Sequence, residues 1–204
     1  QGSLGAGMVV ECRAPYSGVK AIQDGHLRIV DVFNTTQRLW MYQQNFSKLV
    51  FTPPTFESNI DCMYLQKESI TEKDYIYCEI KRQEGQYGGH LLNGTFYNIT
   101  GKLGDMYVVF DGDDPNPYEN MTLLYTDQNC SVFLVNYLLQ YNNHSAVSAP
   151  PVCQVFLPEN QLSTGLTEKC RIYYNETCKG ETTRFYTDTC KFAGTGLGCL
   201  SDTL

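Results

Sequence analysis

NMTLLYTDQNCSVFLVNY, residues 120–137, holds two runs rich in β-formers, Met121 to Tyr125 and Val132 to Tyr137, around a polar turn, Thr126-Asp127-Gln128-Asn129. Cys130 opens the second run. This is the pattern of an antiparallel hairpin with a cysteine fixed to one strand. Side chains alternate faces along a strand, so an outward Asn120 sends Met121, Leu123 and Tyr125 inward. An outward Cys130 likewise sends Ser131, Phe133 and Val135 inward. The inner wall is then apolar and aromatic with a single hydroxyl, suited to a packed core or a ligand cavity.

The rest of the chain repeats this theme. Its 204 residues fit one domain with a sizeable core. With 15 Tyr and 10 Phe against 18% charged residues, the composition favours strands with amphipathic walls over helical bundles. Residues 36–46, TQRLWMYQQNF, read as the first strand; if Asn45 faces out, Trp40, Tyr42 and Gln44 face in. Residues 61–65, 75–81, 92–100, 105–110 and 152–157 read as further strands. Residues 68–74 read as a charged turn, and the Gly-rich 86–90 as another. Residues 19–33 suggest a short helix, residues 166–178 a better one, and 184–190 a last short strand. The expected organisation is a flexible segment at 1–18, a barrel domain at 19–190 and a Gly-rich tail at 191–204. The expected fold class is all-β: an eight-stranded antiparallel up-and-down barrel with a short N-terminal helix and a C-terminal helix packed outside. A β-sandwich is the competing architecture.

Nine cysteines stand at 12, 62, 78, 130, 153, 170, 178, 190 and 199, without CxxC knuckles, and three His lie far apart, which favours disulfides over metal binding. Asn-x-Ser/Thr sequons occur at Asn34, Asn45, Asn93, Asn98, Asn120, Asn129, Asn143 and Asn175, where composition alone would give roughly two. Both features point to the secretory pathway. No charged start followed by an apolar core opens the sequence, so a signal peptide is expected to have been removed or omitted, and no apolar run has the length of a membrane span. A soluble, secreted glycoprotein is expected. The net charge of −7 disfavours nucleic acid and anionic membranes. The acidic run 111–117, DGDDPNP, lacks the Gly and terminal Glu of a calcium loop and reads as a solvated turn. Nucleophile elbows, zinc-protease motifs and phosphate loops are missing from the sequence, so neither enzyme activity nor a cofactor or metal is expected.

The runs RLWMYQQNF, NIDC, YTDQNCSVFLV, CQVF, EKCRIYYNETC and RFYTDTC, in that order and over about residues 27–190, closely resemble the tick salivary lipocalins, the family of the histamine-binding proteins. The resemblance implies a barrel with one closed and one open end. It also implies bridges Cys62–Cys190, Cys130–Cys170 and Cys153–Cys178. Cys12 with Cys199 would then tie the termini together, leaving Cys78 as the odd thiol. The family's amine-binding pattern places Asp after the hairpin cysteine and Glu on the next strand; here Ser131 and Gln154 stand there. A buried ammonium needs a carboxylate, since unpaired burial costs several kcal/mol. The sequence therefore favours a lipid mediator such as a leukotriene, thromboxane or sterol over histamine or serotonin. Candidate ligand-binding residues are Trp40, Tyr42, Tyr107, Tyr125, Ser131, Phe133, Gln154 and Phe156. The expected partner is a small host mediator held by a monomer, to blunt inflammation or haemostasis. The alternative is a host protein, such as a complement component, cytokine or receptor, bound by loops 48–59 and 138–151.

Overall fold

The computed structural model describes residues 28–46, 60–97, 104–112, 115–138, 150–192 and 199. Among these, helix α1 (Ile29–Phe33) precedes strands β1 (Leu39–Phe46), β2 (Ile60–Ile70), β3 (Asp74–Gln83), β4 (Gln86–Tyr97), β5 (Asp105–Phe110), β6 (Pro117–Thr126), β7 (Ser131–Tyr137) and β8 (Val152–Pro158). Helix α2 (Glu168–Thr177) and strand β9 (Glu181–Arg184) follow. Strands β2 to β8 pair antiparallel in chain order, β8 pairs with β1, and β1 closes the barrel on β2 through Leu39 opposite Leu65 and Trp40 opposite Tyr64. Strand β9 adds to β1 alone, with Asn45 opposite Thr182. The architecture is thus the closed eight-stranded meander expected, with one extra short strand on its wall.

The opening stretch folds as its alternation dictates. Along β6, Glu119, Met121 and Leu123 are buried while Asn120 and Thr122 are half-exposed. The turn is held by Asp127, whose Oδ1 accepts from the Asn129 and Cys130 amides at 3.2 and 2.9 Å. Such side-chain closure is what Asp supplies at a turn.

Three local features depart from the sequence reading. Residues 86–90 are not a turn but the start of β4; the β3–β4 turn is Glu84-Gly85 alone, at φ 50° and 82°. Positive φ at both central positions matches the right-handed twist of the flanking strands, and Gly85 reaches it without strain. Glu68 belongs to β2, and the expected strand at 184–190 is instead the end of β9 followed by a 3-10 turn at Asp188–Phe192. Helix α2 starts at a Thr167 cap, whose Oγ1 accepts from the Cys170 amide at 3.2 Å.

Two apolar clusters lie on opposite sides of the barrel wall. The inner one holds Phe33 of α1, Met41, Leu65, Tyr75, Tyr77, Phe96, Met121, Phe133 and Phe156, among others. Phe33, fully buried, stacks on Tyr75 at 4.8 Å and on Phe133 at 5.4 Å between ring centres, so α1 plugs its end of the barrel with an aromatic side chain. The outer cluster holds Trp40, Tyr42, Tyr64, Tyr125, Val132, Val155, Leu157, Tyr174 and Tyr186, under α2 and the C-terminal segment.

Four disulfides stitch that outer layer: Cys62–Cys190, Cys130–Cys170, Cys153–Cys178 and Cys78–Cys199, with Cα separations of 5.2, 6.2, 5.8 and 5.6 Å. The first, second and third are the pairs the resemblance implied. The fourth replaces the expected Cys12–Cys199 tie: Cys78 faces outward from β3 into the outer cluster, where Cys199 meets it. Cys12 lies outside the described residues. No described helix is long and apolar enough to cross a membrane.

Candidate functional site

The strand ends at Phe46, Ile60, Phe110, Pro117, Tyr137 and Val152, and the Glu84-Gly85 turn, lie at the end of the barrel opposite α1. Near that end the inner face turns polar. On β3 the inward alternation Tyr75, Tyr77 continues to Glu79, 1% exposed. On β6 the alternation Leu123, Met121 leads back to Glu119, 4% exposed. Strands β3 and β6 are separated by β4 and β5 in the sheet. The hydrogen bond from Tyr118 Oη to Glu79, 3.1 Å to Oε1 and 3.3 Å to Oε2, therefore crosses the lumen rather than running along the wall.

The chamber is completed by β7, β8 and β1. Tyr137 stands opposite Glu119 on β7. Gln154 of β8 donates through Nε2 to Tyr137 Oη at 2.8 Å and to Gln44 Oε1 of β1 at 2.9 Å. Tyr118 packs against Phe110 at 4.8 Å and edge-on against Tyr137 at 6.1 Å. Tyr77, stacked on Tyr75 at 4.5 Å, carries a buried hydroxyl with no hydrogen-bond partner among the described residues. An unmatched hydroxyl costs about 1 to 3 kcal/mol, so a ligand atom that met it would gain that energy.

The charges are unequal. Lys81 Nζ lies 3.7 Å from Glu79 Oε1, and this is the one cation that the described ion pairs bring to the two acids. Burial first, then the Glu79 charge, push the Glu119 carboxyl well above the usual range, with Lys81 opposing weakly. Burial, followed by these two carboxylates, also pushes Tyr77, Tyr118 and Tyr137 well up, so their hydroxyls stay protonated as donors. The result is a lumen of aromatic rings with two acids and one lysine, able to accept a further positive charge.

The eight residues expected to bind ligand divide into three groups. Gln154 belongs to this chamber. Ser131, Phe133 and Phe156 also face the lumen but nearer the plugged end, where Ser131 Oγ bonds Thr126 Oγ1 at 2.9 Å and Phe133 meets Phe156 edge-on at 5.7 Å. Trp40, Tyr42 and Tyr125 face outward: Trp40 packs on Tyr64 and Tyr186, Arg184 covers the Tyr42 ring at 3.7 Å, and Tyr125 stacks on Tyr173 of α2 at 4.9 Å. Two bulges cause this. One between Met41 and Gln43 shifts β1 so that Met41 and Gln44 face in while Trp40 faces out, and one between Leu123 and Tyr125 turns Tyr125 to the outside. Tyr107 is on the outer face of β5, 38% exposed.

Sequence reasoning missed Glu79, Glu119, Tyr77, Tyr118 and Tyr137. The signal was present: Glu119 is two residues before Met121, already read as inward. Loops 48–59 and 139–149 lie outside the described residues. Among the described residues no group of three or more His, Cys, Asp or Glu is placed to hold a metal ion.

The order of the strands, one helix plugging an end and a second bridged to the outer wall decide the fold class. The fold is a lipocalin-like barrel. No family model matches the sequence, and no curated protein matches it. Among solved structures, Japanin from Rhipicephalus appendiculatus bound to cholesterol is similar at 12% identity, over 74% of this chain and 91% of that one, with a TM-score of 0.49. The siderocalin Ex-FABP is similar at 5% identity over 69% and 82%, TM-score 0.48. A deswapped triple mutant of bovine odorant-binding protein is similar at 11% identity over 73% and 91%, TM-score 0.42.

Proposed function

We propose that this barrel is an extracellular carrier that sequesters a small cationic amine in the chamber formed by Glu79, Glu119, Tyr77, Tyr118, Tyr137 and Gln154. The observation that supports it is the pair of nearly fully buried carboxylates facing one lumen and served by one lysine. A ligand ammonium beside Glu119 would replace the proton that burial otherwise holds there, and the tyrosine faces and hydroxyls would orient the rest of it. The counter-charge lost at Ser131 and Gln154 is thus supplied from β3 and β6 instead. By its resemblance, the chain would serve a blood-feeding tick as a secreted glycoprotein that removes histamine or serotonin from the host. Four disulfides suit such an oxidising setting.

A second reading has its own support. A protonated Glu119 can donate a hydrogen bond, and the apolar half of the lumen around Phe133 and Phe156 suits a leukotriene, thromboxane or sterol tail. Calorimetry with histamine, serotonin, a leukotriene, a thromboxane analogue and cholesterol separates the two. The amine reading expects saturable amine binding that weakens at least tenfold in Glu79→Gln or Glu119→Gln. Absence of amine binding, or binding unchanged in both variants, overturns it.

A further inference from the structure

The sequons differ sharply in what the fold does with their asparagines. Asn175 is exposed on α2, and Asn34 and Asn129 are exposed beside α1 and in the β6–β7 turn. Asn45, on β1, is 8% exposed, and both ends of its amide are engaged. Its Nδ2 donates to the Lys179 carbonyl at 2.6 Å, and its Oδ1 accepts from the Cys153 amide at 2.6 Å. Cys153 is bonded to Cys178, the residue before Lys179. Asn45 therefore ties β1 to β8 and to the chain entering β9, immediately beside the Cys153–Cys178 bridge.

We infer that Asn45 is a structural clamp that the folded protein keeps free of sugar despite its sequon, while the exposed Asn175 carries an N-glycan. N-glycosylation replaces an Nδ2–H bond with an Nδ2–C1 bond to the sugar. The proton goes to solvent and the lipid pyrophosphate of the donor oligosaccharide departs. At Asn45, 8% exposed and engaged through both amide ends, a sugar on Nδ2 would have to occupy space that neighbouring chain now fills. The transfer acts on unfolded chain, so modification at Asn45 and closure of the β1–β8–β9 seam exclude one another. A chain glycosylated there keeps one Nδ2–H and the Oδ1 acceptor, but the sugar stands where β8 and Lys179 pack against them; the seam beside Cys153–Cys178 does not close, and the chain fails before secretion. Ligand binding plays no part in this choice.

The test uses the full chain secreted from a eukaryotic host, with glycans removed enzymatically in 18O-water and peptides mapped by mass spectrometry. The expected result is label at Asn175 and none at Asn45. Ser47→Ala deletes the sequon but keeps Asn45; it should leave glycan mass and the Cys153–Cys178 bridge unchanged and the secreted yield no lower. Asn45→Ala deletes the clamp as well and should lower both yield and denaturation midpoint. Label at Asn45 in bridged, secreted protein, loss of one glycan in Ser47→Ala, or an unlabelled Asn175 overturns the inference. So does an Asn45→Ala protein with the stability and yield of Ser47→Ala.

Discussion

Replacing Glu119 by Gln probes the chamber through its protons. The carboxyl is pushed above its usual 4.5 by burial and by Glu79, so the folded state binds a proton that the unfolded state has already released at intermediate pH. A raised folded pKa gives stability that is complete below the unfolded value and is lost as pH rises toward the folded one. The unliganded protein should therefore lose stability from about pH 4.5 upward, by at most about 1.4 kcal/mol per pH unit for this one group. Glu119→Gln, neutral throughout, should flatten that slope. An amine reverses the demand, since it favours the ionised carboxylate: binding should release up to about one proton and tighten up to about tenfold per pH unit below the folded pKa. Urea unfolding across pH 4 to 8 reads the first effect, and calorimetry in two buffers of different ionisation enthalpy reads the second. Superimposable pH-stability curves for the two proteins, or equal proton release on amine binding, would refute the assignment of Glu119.

Three further outcomes test the frame. Phe33→Ala removes a fully buried ring from the plugged end and should cost about 3 to 5 kcal/mol by denaturant titration. Gly165→Ala places a Cβ 2.8 Å from Tyr42 Oη at a φ of +78°, so a loss of at least about 1 to 2 kcal/mol is expected, read as a shift in the urea midpoint. The double replacement Cys130→Ser/Cys170→Ser opens a crosslink spanning 40 residues and should cost about 3 to 4 kcal/mol, read the same way.

Strand phase was readable wherever the strands are regular. On β7 an outward Cys130 placed Ser131, Phe133 and Val135 inside, and the structure puts Phe133 and Val135 in the inner cluster with Cys130 in the outer one. Phase failed where a bulge intervened, because one extra residue inverts every side chain beyond it. Asn45 and Gln44 kept their expected faces on one side of the β1 bulge, while Trp40 and Tyr42 exchanged theirs on the other. Gly88 and Gly89 hid the start of β4, since glycine signals turns more often than strands, and the two-residue turn before them carried a weaker mark. The acids were missed for a different reason. Glu79 and Glu119 lie on strands remote in sequence, and only barrel closure brings them to face one another across the lumen.

All four disulfides attach to the outside of the wall, under α2 and the C-terminal segment, and none enters the lumen. Framework and contents are consequently separable. Side chains such as Glu79, Tyr118, Glu119 and Gln154 can be exchanged for others of similar volume without touching a crosslink. A recombinant version could be re-targeted to a new small molecule while its covalent cage stays as it is.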